Sequence, residues 1–362
     1  MKTTVVTQSL RGAASAGLAR FSSVLLIAAA GLAASCKDDD DTAPLAAAAA
    51  CRVAMQTTTA KVYIGAPDEY SYKAVFTYEY DDKGNRTGNT VQYTNTYPDG
   101  KTATSTSSTS MQYDADGFLL RTVRQYNSKD RDGVTSISST NEDYTYENGR
   151  LIKSATSSVN DGSPISYVSQ YEYDGSGKLI KYMNTYDNSS TSIQYNGNSI
   201  QKIIITDGAG NTTSPFLQYN DKGWLIKSIE TWGGGTDEFR YEYTAEGQIA
   251  KEERYINSKP SSGTIYEYDT RENPSQYIYS RPKGHPTLPS TRPNFLQIHN
   301  ITRATYLEAN ADGTAFQNRG STLYVYDYNA KGFPISQTLT TTTAKGVAES
   351  SNNSTFEYTG CN

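Results

Sequence analysis

Tyr171-Glu172-Tyr173-Asp174-Gly175-Ser176-Gly177-Lys178-Leu179-Ile180 decides how this chain folds. Tyr-x-Tyr has period two, so both rings lie on one face of a β-strand. Asp174, at the first turn position, accepts hydrogen bonds from the backbone amides that follow it. Gly177 supplies the left-handed backbone needed by a type I turn closed with a G1 bulge. Leu179-Ile180 then starts the return strand. The phrase encodes one β-hairpin.

The same phrase recurs along the chain. Tyr78-Glu79-Tyr80-Asp81 leads to Gly84, and Met111-Gln112-Tyr113-Asp114 leads to Gly117 and Leu119. Leu217-Gln218-Tyr219-Asn220 leads to Gly223, Tyr241-Glu242-Tyr243 to Gly247, and Tyr326-Asp327-Tyr328-Asn329 to Gly332. Two shorter copies carry Asn148-Gly149 after Tyr146 and Asn196-Gly197 after Tyr195, the preferred pair of a two-residue type I′ hairpin. Tyr266-Glu267-Tyr268-Asp269 lacks the glycine, and Phe356-Glu357-Tyr358 is the last copy. With 30 Tyr and 28 Gly, the composition follows from the phrase. The pattern predicts an all-β chain of roughly 18–20 strands in tandem hairpins. These would form one long twisted antiparallel sheet, an open superhelix or a closed barrel-like ring. A proline-rich insert near 273–300 interrupts it, with Asn273-Pro274, Arg281-Pro282, Leu288-Pro289 and Arg292-Pro293.

The N-terminus reads differently. Lys2, Arg11 and Arg20 precede an apolar run from Phe21 to Ala34. That run is about 15 residues, short of the ~20 that span a bilayer. A basic start, a short apolar middle and small residues at the end make a secretory signal peptide over residues 1–35. Leu32-Ala33-Ala34-Ser35-Cys36 resembles the lipobox of bacterial lipoproteins, which implies diacylglycerol on Cys36 and cleavage before it. Lys37, Asp38, Asp39, Asp40 and Asp41 resemble the acidic signal that sends lipoproteins to the outer face of the outer membrane in one Gram-negative phylum. Residues 36–50 are then a lipidated tether and 51–362 a single repeat domain.

The precursor has 33 basic and 38 acidic residues; residues 1–35 hold three and none, which leaves 30 against 38, a net −8. An acidic domain without a basic cluster lacks the Lys and Arg that neutralise phosphates, so nucleic acid is excluded as a partner. His285 and His299 stand 14 residues apart in the insert without metal-ligand spacing, so they read as polar loop residues and no metal is expected. Nucleophile elbows, phosphate loops and zinc-protease helices have no match in the chain, and no cofactor is expected. The carboxylates of Asp81, Asp114, Asp174 and Asp269 recur at one turn position, which assigns them to turn chemistry. Trp224 and Trp232, on one hairpin, are the aromatic candidates for ligand contact.

The repeated Tyr-x-Tyr-Asp-x-x-Gly-x-Leu phrase resembles the YD repeat of the rearrangement-hotspot (RHS) family. In that family repeated hairpins build a spiralling sheet, which in large toxins encloses cargo. The likeness extends to a domain of no assigned activity in surface lipoproteins of the same phylum, over about residues 51–362. These features imply a non-enzymatic surface lipoprotein that serves as a binding or scaffold module for a glycan or protein. A component of an RHS-like toxin or contact-dependent system and a surface hydrolase are the alternatives.

Cys51 and Cys361 bracket the domain in a compartment where disulfides persist, and we expect them to pair. Closing so long a loop contributes ~5 kcal/mol on the chain-entropy view. Non-reducing mass spectrometry of the mature protein should find neither thiol free to alkylate; two alkylated cysteines would refute the pairing.

Overall fold

The computed structural model describes residues 52–62, 70–197, 199–232, 234–273, 278, 281–293 and 298–360. Residues 1–35, expected to be a signal peptide, the Cys36–Asp41 segment, Cys51 and Cys361 lie outside the described residues. Twenty-one strands occur among the described residues. The first seven are β1 (Arg52–Val62), β2 (Tyr70–Tyr80), β3 (Arg86–Thr96), β4 (Thr102–Tyr113), β5 (Leu119–Lys129), β6 (Thr135–Glu147) and β7 (Arg150–Asn160). Next come β8 (Ser163–Tyr173), β9 (Leu179–Asn184), β10 (Ser189–Asn196), β11 (Ser199–Thr206), β12 (Thr212–Thr213), β13 (Phe216–Tyr219) and β14 (Leu225–Trp232). The last are β15 (Gly235–Tyr243), β16 (Ile249–Ile256), β17 (Lys259–Glu272), β18 (His299–Ala309), β19 (Phe316–Tyr328), β20 (Pro334–Thr343) and β21 (Ala348–Thr359).

Each strand pairs antiparallel with its successor, with one exception, and β1 also pairs with β21. The sheet bends round until its first and last strands meet, with Arg52 opposite Thr359. The exception is between β12 and β13, which are two pieces of one stretch broken at Ser214-Pro215. β12 pairs with β11 and β13 with β14, so both free edges of the ladder fall on this stretch. Pro215 has no N–H to give a ladder. Ser214 tacks the seam instead, its Oγ donating to the Ile203 carbonyl at 2.8 Å. The hydrogen-bonded sheet is therefore one long antiparallel ladder that is not closed.

The turns follow the phrase. At Asp174, Oδ1 accepts from the amides of Ser176 and Lys178, both at 2.9 Å, and Gly177 N donates to Asp174 O at 3.0 Å. Gly177 has φ +92°, a region costly for any side chain, and the register slips between Glu172 and Tyr173 as a bulge demands. Gly84, Gly117, Gly149, Gly197, Gly223, Gly247 and Gly332 also have positive φ. Asn148 and Gly149 form the two-residue turn expected of them, at φ 50° and 76°. The second short copy is framed differently: Asn196 pairs with Ser199, so Asn196 belongs to the strand and does not share the turn with Gly197 as expected. A bulge between Gln194 and Tyr195 sets that frame, and it buries Ile203 opposite Ile193.

All the phrase turns lie along one rim of the bent sheet. There the second tyrosine of most phrases donates its hydroxyl to a backbone carbonyl on the neighbouring strand. Tyr113 reaches Arg86 O (3.0 Å), Tyr146 Leu119 O (2.8 Å), Tyr173 Leu151 O (2.7 Å) and Tyr195 Leu179 O (3.0 Å). Tyr243 reaches Leu225 O (2.6 Å), Tyr268 Ile249 O (2.7 Å) and Tyr358 Pro334 O (2.6 Å). Tyr80 makes the same bond to Val53 O on β1, at 3.1 Å, beside the junction of β1 with β21. In the last full copy Tyr326 takes the role, reaching Ile301 O at 3.0 Å, while Tyr328 hydrogen-bonds Asp269. Most acceptors are the aliphatic residue that opens a return strand, and the side chains of Val53, Leu119, Leu151, Leu179, Leu225, Ile249 and Ile301 are buried. The core is a band along this rim.

Register places the tyrosines and these aliphatic residues on the inner wall of the bend. The outer wall carries ion pairs, among them Arg121–Asp143 (2.6 Å), Lys227–Glu238 (3.0 Å) and Lys251–Glu253 (2.6 Å). Such charges would cost ~2–4 kcal/mol each against lipid at mid-bilayer, so this wall suits water. About 20 strands at ~4.8 Å give a perimeter of roughly 95 Å, whereas eight strands already make an interior that side chains just fill. Something other than the wall itself must occupy part of the inside.

That role falls to the proline-rich insert between β17 and β18, which replaces a phrase turn. Asp269 still accepts from Arg271 N (2.9 Å), but its other partners are Asn300 across the insert (N, 3.1 Å) and the Tyr328 hydroxyl. The described residues of the insert, Ile278 and 281–293, lie against the inside. The Ile278 carbonyl accepts from Arg86 Nη1 (3.0 Å), and its side chain packs with Val53 and Tyr78. The Gly284 carbonyl accepts from Leu151 N (2.9 Å), and Lys283 Nζ donates to Asp116 O (3.1 Å).

Removing one tyrosine hydroxyl leaves a buried carbonyl short of a partner. Tyr173→Phe should lower the unfolding free energy by about 1 kcal/mol. Leu151→Ala, at a side chain 1 % exposed, should lower it by about 2–5 kcal/mol. Urea titration checks both, with outer-wall Val325→Ala as a near-neutral control; equal effects from all three would refute the rim as the core.

Candidate functional site

Trp224 follows a turn glycine, and that position is aromatic in other copies. Phe118 lies 5.0 Å from Tyr146, Trp224 5.2 Å from Tyr243, and Phe333 5.7 Å from Tyr358. The Trp224 ring thus belongs to the contact between units. Lys222 Nζ lies 4.6 Å from its centre. A shallow cleft of ≈ 430 Å³ opens beside it, lined by Asn220, Lys222, Tyr241, Tyr243 and Thr244. Trp232 is at the other end of β14, where its backbone pairs with Gly235, so the two tryptophans mark opposite rims. The side chain of Trp232 is outside the described residues.

The histidines also separate. His285 Nε2 lies 2.8 Å from the Tyr146 hydroxyl. That hydroxyl has one proton, already given to Leu119 O, so Nε2 carries hydrogen and donates. Burial pushes the His285 pKa down to about 4, and the nearby Arg281 adds to the effect. His299 is held elsewhere, its amide donating to Gln248 Oε1 at 2.6 Å. No group of three or more metal-ligating side chains occurs among the described residues.

Away from the phrase rim, the inner wall changes character. Tyr126 is 41 % exposed, with Ser107 and Ser138 as its cross-strand partners. Ile165 and Ile205 are also exposed on this wall. Hydroxyls line it in pairs, such as Thr140–Ser158 at 3.0 Å. This half is a polar, partly aromatic surface open to solvent.

One ionic cluster interrupts it, on β15–β17. Buried Asp237 accepts from Arg254 Nε (2.8 Å) and Nη2 (2.6 Å). Two cations share the ring of Phe239: Arg254 stands 5.6 Å from its centre and Arg292, from the insert, 3.9 Å. Glu252 accepts from the Tyr266 hydroxyl at 3.2 Å, and burial raises its pKa against the opposing pull of Tyr266 and Arg292. Burial likewise holds the Tyr241 and Tyr266 hydroxyls well above the usual phenol range, so they remain protonated donors. The sequence carried one sign of this cluster. Asp237 is in phase with Phe239, Tyr241 and Tyr243, which puts a carboxylate on the tyrosine face.

No family model matches the chain, and no curated relative does. Solved structures do resemble it. A porin-like protein from Bacteroides uniformis ATCC 8492 aligns at 13 % identity and TM-score 0.35, covering 85 % of this chain and 96 % of that one. The TcdB2-TccC3 structure aligns at 13 % identity and TM-score 0.28, covering 78 % of this chain and 16 % of that one. The all-β assignment rests on the strand ladder itself.

The lowered pKa of His285 makes stability depend on pH. The unfolded imidazole takes a proton near pH 6.5 and the folded one only near 4. The stability it supports is complete above pH 6.5 and is lost as pH falls toward 4, by ~3 kcal/mol at most. Urea titrations from pH 7 to 4 should show a steeper loss for the native chain than for His285→Gln. Parallel curves would show that this imidazole does not govern the loss.

Proposed function

We propose that the protein is an outer-membrane surface lipoprotein, anchored through Cys36, whose non-catalytic repeat domain binds a glycan on the open half of its inner wall. The observation that carries this is the division of that wall. At the phrase rim the tyrosine hydroxyls are committed to backbone carbonyls, whereas the other half leaves Tyr126 exposed among serines. Aromatic faces with surrounding hydroxyls suit the apolar and polar sides of a sugar ring. A glycan is favoured over an extended peptide because the strand edges are already paired, apart from the seam at β11 and β13. A peptide main chain would find few backbone partners there.

Glycan-array binding followed by calorimetry tests the reading. The mature chain should bind at least one polysaccharide class, about tenfold more weakly after Tyr126→Ala, a loss of ~1.4 kcal/mol. Outer-wall Val325→Ala should leave the affinity unchanged. Binding that survives Tyr126→Ala and falls with Val325→Ala would place the ligand on the other wall and defeat the proposal.

A further inference from the structure

The ionic cluster is unevenly balanced. Arg254 is neutralised by Asp237 through hydrogen bonds from both Nε and Nη2. Arg292 is exposed and, among the described residues, forms no ion pair. Glu252 lies close enough to feel its charge, and the Tyr266 hydroxyl already engages that carboxylate at 3.2 Å. Phe239, itself buried, has the guanidinium carbon over its ring, 3.9 Å from the centre. A planar guanidinium fixed on an aromatic face keeps its edge donors free for a bidentate acceptor. The strands below supply hydroxyls and no further cation than Arg254.

We propose that Arg292, seated on Phe239 beside Glu252 and Tyr266, receives the carboxylate of an acidic saccharide, a uronate-type sugar, bound along the inner wall. This rests on the inner wall being the glycan surface and adds the chemical class it selects. Arg292 lies on the insert and Phe239 on the wall, so the subsite exists only where the two meet.

The test is calorimetric titration of the full mature chain at pH 7 with polygalacturonate, with its fully methyl-esterified form and with a neutral glucan. Polygalacturonate should bind, at least tenfold more weakly after Arg292→Ala and with intermediate affinity after Arg292→Lys, which keeps charge but loses the planar fork. Esterification should cause a loss similar to that of Arg292→Ala. Thermal melts of both variants should match the native chain, since the residue is exposed. Polygalacturonate that binds equally well to Arg292→Ala, or as well when esterified, would overturn the subsite. Neutral glucan binding that depends on Tyr126, without any binding of polygalacturonate, would overturn the subsite while leaving the inner-wall reading intact. No binding of any saccharide would remove both.

Discussion

The bond on which this architecture depends is the one from a tyrosine hydroxyl to the first carbonyl of the neighbouring return strand. An isolated hairpin is marginal in water, and a sheet one layer thick has little core to hold it. The phrase solves both problems at one place. Its turn sets the hairpin, its aliphatic residue is buried, and the carbonyl of that residue receives the next tyrosine. Each bond is worth only about 1 kcal/mol, but it recurs from Tyr80 on β2 to Tyr358 on β21. Because the acceptor is a backbone atom, the contact tolerates Arg86, Val53 or Pro334 where most copies have Leu or Ile.

A sheet stitched along one rim and bent until its ends meet encloses more space than its side chains can fill. The insert answers that need on the stitched side. Its carbonyls and side chains replace water at β2–β3, β4–β5 and β6–β7, and Arg292 reaches β15. The opposite half stays open, and its residues change from Leu and Tyr to Ser, Thr and scattered aromatics. Stability is concentrated at the phrase rim, and the other half stays open to solvent. The Ser214-Pro215 break lies within this economy. A single side-chain bond from Ser214 stands where backbone pairs would otherwise run.

The candidate site shows the same division of labour. Asp237, Phe239, Glu252 and Arg254 come from adjacent strands, so their neighbourhood is a matter of register. Arg292 is brought to them by the insert. The strap thus adds a positive side chain over a buried ring to a wall that itself carries hydroxyls, two carboxylates and Arg254. Trp224 joins the repeating contact between units through Tyr243, with a shallow cleft beside it.

Local chemistry was readable without coordinates. The hairpins, the polar turn residues, the positive-φ glycines and the shared face of each Tyr-x-Tyr pair all follow from interactions within a few residues. The frame of the turn after Tyr195 was not readable, since it depends on which isoleucine the bulge buries. Nor was the identity of the tyrosines' acceptors, because alternation gives a face and not a partner. The expected pairing of Cys51 with Cys361 already pointed to the meeting of β1 with β21, whereas tertiary structure alone decided the seam at Pro215 and the path of the insert. Those features join residues 139 apart, as Tyr146 and His285 are, or 192 apart, as Arg86 and Ile278 are. No local pattern encodes such pairs; they arise because a bent sheet must bury one rim and fill the space behind it.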